Sequence, residues 1–177
     1  MTESRPPAAS GRRIVETFAR CGIDSITTVP DFVQLSVHAH LDRDPQRFMV
    51  TYCANENQAV HVAMGQYIGG RNPAVLMQNQ GLHNCVNSLR ACGLDAGMPL
   101  LFVIGQFGRE FANVGRDARK SGRRIVSLLE PVLDALGVPS WKVECDDDVP
   151  AIEVAWRSAV QRMQPSAVII GNYTLWD

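Results

Sequence analysis

The sequence predicts a doubly wound α/β domain, a mainly parallel sheet of about six strands with helices on both faces. Short β-branched or apolar runs alternate with longer amphipathic ones along the whole chain. Several of the short runs are apolar throughout, as strands buried on both faces of a parallel sheet must be: AVLM at 74–77, PLLFVI at 99–104 and AVII at 167–170. The chain also lacks internal repeats and any linker long enough to divide it.

Taken in order, Arg12–Cys21 reads as a helix with Ile14, Val15, Phe18 and Ala19 on one face, ended by Gly22. Ser25–Val29 is a β-branched strand stopped by Pro30. Phe32–Leu41 is the second helix and Phe48–Tyr52 the next strand. Glu56–Ile68 is helical up to Gly69-Gly70. Ala74–Met77 is a buried strand, Leu82–Leu94 a helix, and Pro99–Ile104 another buried strand. Beyond a basic stretch, Arg124–Leu136 is a helix ended by Gly137. Trp141–Glu144 is a short strand, Pro150–Met163 a helix and Ala167–Ile170 the last strand.

The 177 residues suit one domain, large enough to bury roughly 70% of its unfolded surface. Residues 1–11 are polar and rich in Pro, Ala and Ser, which reads as a disordered leader before a single domain at 12–177. A net charge of −1 gives no pull toward nucleic acid. No apolar run approaches the roughly 18–20 residues that span a bilayer, so no membrane partner is expected; residues 1–11 lack an apolar signal core, and the location expected is therefore cytoplasmic. The five cysteines are scattered without a Cys-x-x-Cys pair, which argues against a disulfide framework or a zinc site; no metal ligand is expected in this chain.

In such sheets ligands sit beyond the carboxyl ends of the strands. Four loops fall there: Pro30-Asp31, Cys53–Glu56, Gln78–Asn84 and Gly105–Arg123. Glu56 opens a helix rich in small residues, and a carboxylate in a first turn is stabilised by the helix dipole without any further role. Gln78-Asn79-Gln80-Gly81-Leu82-His83-Asn84 reads as a polar turn from a strand into a helix, with a glycine that permits close backbone approach. It is neither a P-loop nor a dinucleotide fingerprint. Asp31 suits a helix N-cap. The cluster Arg109, Arg116, Arg119, Lys120, Arg123 and Arg124 is either a solvated loop or a clamp for an anionic group. His38, His40 and His61 fall within helices as surface or packing residues.

Three stretches together resemble the pyrimidine-binding domain of the sulfopyruvate and phosphonopyruvate decarboxylases. They are Gly22-Ile23-Asp24 with Thr28-Val29-Pro30-Asp31; Asn55-Glu56 through Gly65-Gln66-Tyr67-Ile68-Gly69-Gly70; and Pro73 through Leu82. Leu133–Pro139 fits as well, so the resemblance runs over about residues 12 to 145. It implies thiamine diphosphate as cofactor, bound by Glu56, Gln78, Asn79, Gln80, Gly81 and Leu82. It implies that Glu56 bonds the aminopyrimidine and favours its imino form, that Asp31 assists proton transfer, and that a small 2-oxo acid is the substrate. His83, Asn84, Gln106 and Arg109 are the candidate substrate contacts; His83 stands where the family often has a second glycine.

The diphosphate half of these enzymes carries a Gly-Asp-Gly with a downstream Asn, and nothing here matches it. The resemblance therefore implies a diphosphate-binding (beta) partner subunit that also holds Mg²⁺, in a heterotetramer or larger assembly. Three other readings stand beside it: a half-subunit of a related carboligase or lyase, a noncatalytic flavodoxin-like binding module, and a hydrolase using Cys85 or Cys92 with His83.

Overall fold

The computed structural model describes residues 7–177. Six parallel strands form one sheet: β1 (Ser25–Thr28), β2 (Met49–Tyr52), β3 (Pro73–Gln78), β4 (Leu101–Gly105), β5 (Ser140–Val143) and β6 (Ser166–Ile170), in the order β2-β1-β3-β4-β6-β5. The chain moves outward from β1 to β2 and then returns past β1 to β3. This reversal opens a crevice at the carboxyl ends of β1 and β3, the kind of place where open α/β sheets bind ligands. The register aligns Thr28 with Tyr52 and Leu76, and Gln78 with Gly105, so the loops after β1 to β4 emerge along one edge.

Helices α1 (Gly11–Arg20), α2 (Leu35–Asp42), α3 (Glu56–Ile68), α4 (Asn79–Asn84), α5 (Val86–Ser88), α6 (Arg124–Ser127), α7 (Leu129–Ala135) and α8 (Ala151–Arg162) complete the domain. Alternate strand residues feed two separate cores. Ala74, Leu76, Leu101, Val103, Val168 and Ile170 pack with Phe18, Val37 and Trp156 of α1, α2 and α8. Val75, Met77, Phe102, Ile104, Ala167 and Ile169 face Val60, Leu82 and Leu133 of α3, α4 and α7. The expected double winding is therefore present. Phe102 is fully enclosed, and truncating such a side chain to alanine costs about 3–5 kcal/mol.

Three expectations need correction. Residues 1–6 of the expected leader lie outside the described residues, but Ala9, Ser10 and Gly11 are buried. Ser10 caps α1 through the Arg13 amide (3.1 Å), and the Gly11 amide donates to the Leu175 carbonyl (3.2 Å). A Cβ on Gly11 would meet the Ser36 side chain. Ala9, Ser10 and Gly11 are thus ordered, paired with Leu175 and packed against Ser36 of α2.

The helix expected over Leu82–Leu94 begins three residues earlier, breaks at Cys85 and ends in a π-helical turn, Leu89–Asp95. The polar turn expected at 78–84 is consequently helical from Asn79. The helix expected over Arg124–Leu136 is interrupted at Leu128. Pro131 lies two residues into α7, where its missing N–H removes the bond that would have joined the two segments.

Candidate active site

Asn55 ends the loop after β2 and caps α3 by accepting from the Gln58 amide (3.0 Å). The cap is therefore Asn55, which leaves the Glu56 side chain free to reach across to α4. Its Oε2 accepts from Asn84 Nδ2 (2.9 Å), and Oε1 has no hydrogen-bond partner among the described residues. A Cβ on Gly81 would lie 2.7 Å from Glu56 Oε1 and 2.8 Å from its Cδ, closer than real Cβ atoms come. Glycine at 81 is thus what lets the carboxylate lie against the α4 backbone. Asn57 binds the two helices beside it, accepting from Ser88 Oγ (2.6 Å).

Asp31 ends the loop after β1 and caps the 3₁₀ turn Phe32–Gln34. Its Oδ1 accepts from the Val33 amide (2.8 Å) and its Oδ2 from Gln34 Nε2 (2.9 Å). The carboxyl lies against Gly105, where a Cβ would come within 2.7 Å of Asp31 Cγ. The residue is fully enclosed, and burial pushes its pKa up while Gln34 and the Val33 and Gly105 amides pull it down. Asp31 ends a loop and Glu56 opens a helix, both at the carboxyl edge of the sheet, but the two carboxylates share no hydrogen-bond partner.

The remaining candidates divide. Gln78 is half-buried and its Nε2 meets Gln80 Oε1 at the surface. Asn79 is buried, its amide tied to the carbonyls of Phe107 (3.0 Å) and Ile125 (3.1 Å). Leu82 belongs to the core. His83 is half-buried; burial lowers its pKa, and Nε2 has no partner among the described residues. Gln106 is buried, with Oε1 accepting from Arg109 (3.1 Å) and Nε2 without a partner among the described residues.

Arg109 does not suit the substrate contact expected of it. All of its N–H groups have protein acceptors: Nε donates to Asn113 Oδ1 (3.0 Å), Nη1 to Gln106 and Glu144, and Nη2 to the Asn113 and Arg116 carbonyls (2.9 Å each). Its side chain is 1% exposed. Arg119 is likewise occupied, by Glu130 and Asp134. Arg109 is the internal tie of the loop after β4.

The cysteine reading fails on both thiols. Cys85 and Cys92 are buried, and burial, helped by the negative charge of Glu56, raises Cys85 to about 12. A thiol held that high supplies almost no thiolate. Among the described residues no three His, Cys, Asp or Glu side chains are grouped to hold a metal ion, and no helix is long and apolar enough to cross a membrane. Gln34 was missed in the sequence, although the Asp31-x-x-Gln34 spacing of a capping box was there to suggest it.

A six-stranded parallel sheet with helices on both faces and a crevice at its carboxyl edge is the fold of a thiamine-dependent enzyme domain. Residues 9–125 match the family "Thiamine pyrophosphate enzyme, N-terminal TPP binding domain", and the chain belongs to it.

Within that class the chain is similar to sulfopyruvate decarboxylase subunit alpha from three methanogens. It is 36% identical to that of Methanococcus maripaludis over 89 residues, 49% of this chain and 52% of the relative. It is 33% identical to that of Methanothermobacter thermautotrophicus over 89 residues, 50% and 53% of the two chains. With the Methanocaldococcus jannaschii protein it shares 25% identity over 155 residues, 88% of each. The matched stretch spans about half the length of the first two relatives.

Proposed function

We propose that this chain is the pyrimidine-binding subunit of a thiamine-diphosphate-dependent 2-oxo acid decarboxylase, a cytoplasmic heteromer completed by a partner chain that binds the diphosphate and Mg²⁺. The observation that carries the proposal is the Glu56 carboxylate, one oxygen fixed by Asn84 and the other unpartnered, pressed against Gly81 at the carboxyl edge of the sheet. The names of its relatives support the substrate class and the existence of a partner: each is a subunit alpha of an enzyme that decarboxylates sulfopyruvate.

The residues present fit an aminopyrimidine. An unpartnered carboxylate oxygen is an acceptor for a protonated ring nitrogen, and the missing side chain at Gly81 leaves the carboxylate room beside the helix backbone. Thiamine diphosphate, when bound, supplies the electron sink that lets a 2-oxo acid lose CO₂. Glu56 would stabilise positive charge on a ring nitrogen brought to its free oxygen, and Asn84 keeps the carboxylate from turning away. Asp31 holds a proton more firmly than an ordinary carboxylate and is the candidate for proton transfer. His83 and Gln106, each with an Nε2 that has no partner among the described residues, remain candidates for a polar substrate group.

Calorimetry tests the division of labour. The isolated chain should bind thiamine diphosphate weakly, and adding the diphosphate-binding partner should produce tight, Mg²⁺-dependent binding and CO₂ release from sulfopyruvate, phosphonopyruvate or another 2-oxo acid. Tight Mg²⁺-dependent binding by the chain alone would refute the split site.

A further inference from the structure

Gln34 is fully buried on the 3₁₀ turn that follows Asp31. Its Nε2 lies 2.9 Å from Asp31 Oδ2, 3.2 Å from the Val103 carbonyl and 3.3 Å from the Met77 carbonyl. All three neighbours are acceptors, so turning the amide over would set Oε1 against three oxygens; the nitrogen must face them. Its Oε1 has no partner among the described residues. A buried amide that leaves its own acceptor unsatisfied is costly, which makes a purely space-filling role a poor account of it.

Two N–H groups serve three acceptors, and an ionised carboxylate competes better than a carbonyl. The same amide also reaches backbone near the carboxyl ends of β3 and β4. Gly105 completes the arrangement, because a Cβ there would also come within 2.8 Å of Val33 Cβ. The residues around the carboxyl that the bonds and contacts identify are Val33 and Gln34 of the turn and Gly105 of β4, with Met77 and Val103 beyond the Gln34 amide. None is charged or titratable.

We propose that Gln34 is the positioning residue of Asp31: its amide fixes one carboxylate oxygen above Gly105 while the Val33 amide fixes the other. The carboxyl is thereby held in one orientation over the ends of β3 and β4. The consequence for catalysis rests on the decarboxylase reading above, but the positioning itself is a property of the free chain.

The test is NMR titration of the full chain. In the wild type the Gln34 side-chain amide resonances should shift with pH at the same midpoint as the Asp31 carboxyl carbon, a midpoint above the ordinary aspartate value. In Gln34→Met, checked for folding by thermal unfolding, the Asp31 midpoint should rise by about one to two pH units, the loss of one hydrogen bond to a charged group. A structural role alone would leave that midpoint in place. In the assembled complex, a limb of the pH–rate profile that follows Asp31 should move by the same amount. If the midpoint moves and the profile does not, the positioning stands and the catalytic role of Asp31 fails. Gln34 amide resonances that stay flat across the Asp31 titration, a measurement needing no variant, would overturn the proposal, as would an unmoved midpoint in folded Gln34→Met.

Discussion

The carboxylate of Glu56 lies against the α-carbon of Gly81, so close that a Cβ on residue 81 would come within 2.7 Å of its Oε1. One residue opens α3 and the other lies inside α4, and Asn84 of the same short helix holds the second oxygen at 2.9 Å. Gly81→Ala therefore sets two effects against each other. Alanine favours a helix by up to about 1 kcal/mol over glycine, but forcing a methyl into occupied space costs about 1–3 kcal/mol. The overpacking should win or nearly balance, giving a melting temperature unchanged or a few degrees lower. The larger change should be in the assembled enzyme, where a displaced Glu56 loses cofactor-dependent turnover by tenfold or more. An alanine variant with full turnover would show that the close approach is dispensable.

Arg109 and Glu144 make a different kind of pair, an ion pair whose side chains are 1% and 12% exposed. Arg109→Met leaves Glu144 buried without its cation, and breaking a buried pair from one side costs about 3–5 kcal/mol. Urea unfolding should show that loss, and Arg109→Met with Glu144→Leu should recover much of it. If Arg109 instead clamped substrate, the single change would raise KM in a complex of normal stability.

His38 is buried on α2, with both ring nitrogens lacking partners among the described residues. Burial pushes its pKa below the ordinary value of 6.5, and Asp42 recovers only part of the shift. The folded state thus binds fewer protons than the unfolded one between the lowered value and 6.5. The corresponding stability is complete above 6.5 and is lost as pH falls through that window. His38→Leu removes the titration. Its unfolding free energy should lose that component of the acid slope, and at pH 5 it should be at least as stable as the wild type by chemical denaturation. An unchanged slope below pH 6.5 would assign the acid sensitivity elsewhere.

Much of the fold was legible because a strand buried on both faces of a parallel sheet is apolar at every position. Ala74 to Met77 and Ala167 to Ile170 are apolar at every position, and each feeds one core and then the other. That Glu56 and Gly81 follow strand ends was legible, and the Asn55-Glu56 opening marked the start of α3 correctly, but Gly81 lies inside α4 and not in the turn expected there. What was not legible depends on residues distant in sequence. Arg109 looks like a free cation until Glu144, 35 positions on, is placed beside it. Ala9 to Gly11 look disordered until Leu175 pairs with them. Composition near Arg109 or Ala9 carries no trace of either partner, because both contacts are created by the fold.

The most direct test of the central claim is Glu56→Gln in the assembled complex, following exchange of the thiazolium C2 proton of bound cofactor by NMR alongside thermal unfolding. Glutamine keeps the size of the side chain and a hydrogen-bonding group but removes the negative charge. If Glu56 activates the cofactor, C2 exchange and turnover should both fall by orders of magnitude, each tenfold loss corresponding to about 1.4 kcal/mol of transition-state stabilisation. The fold should be nearly unaffected, since Asn55 and not Glu56 caps α3. Near-normal exchange with about 1 kcal/mol lost from stability, the signature of a helix-dipole role, would contradict the account.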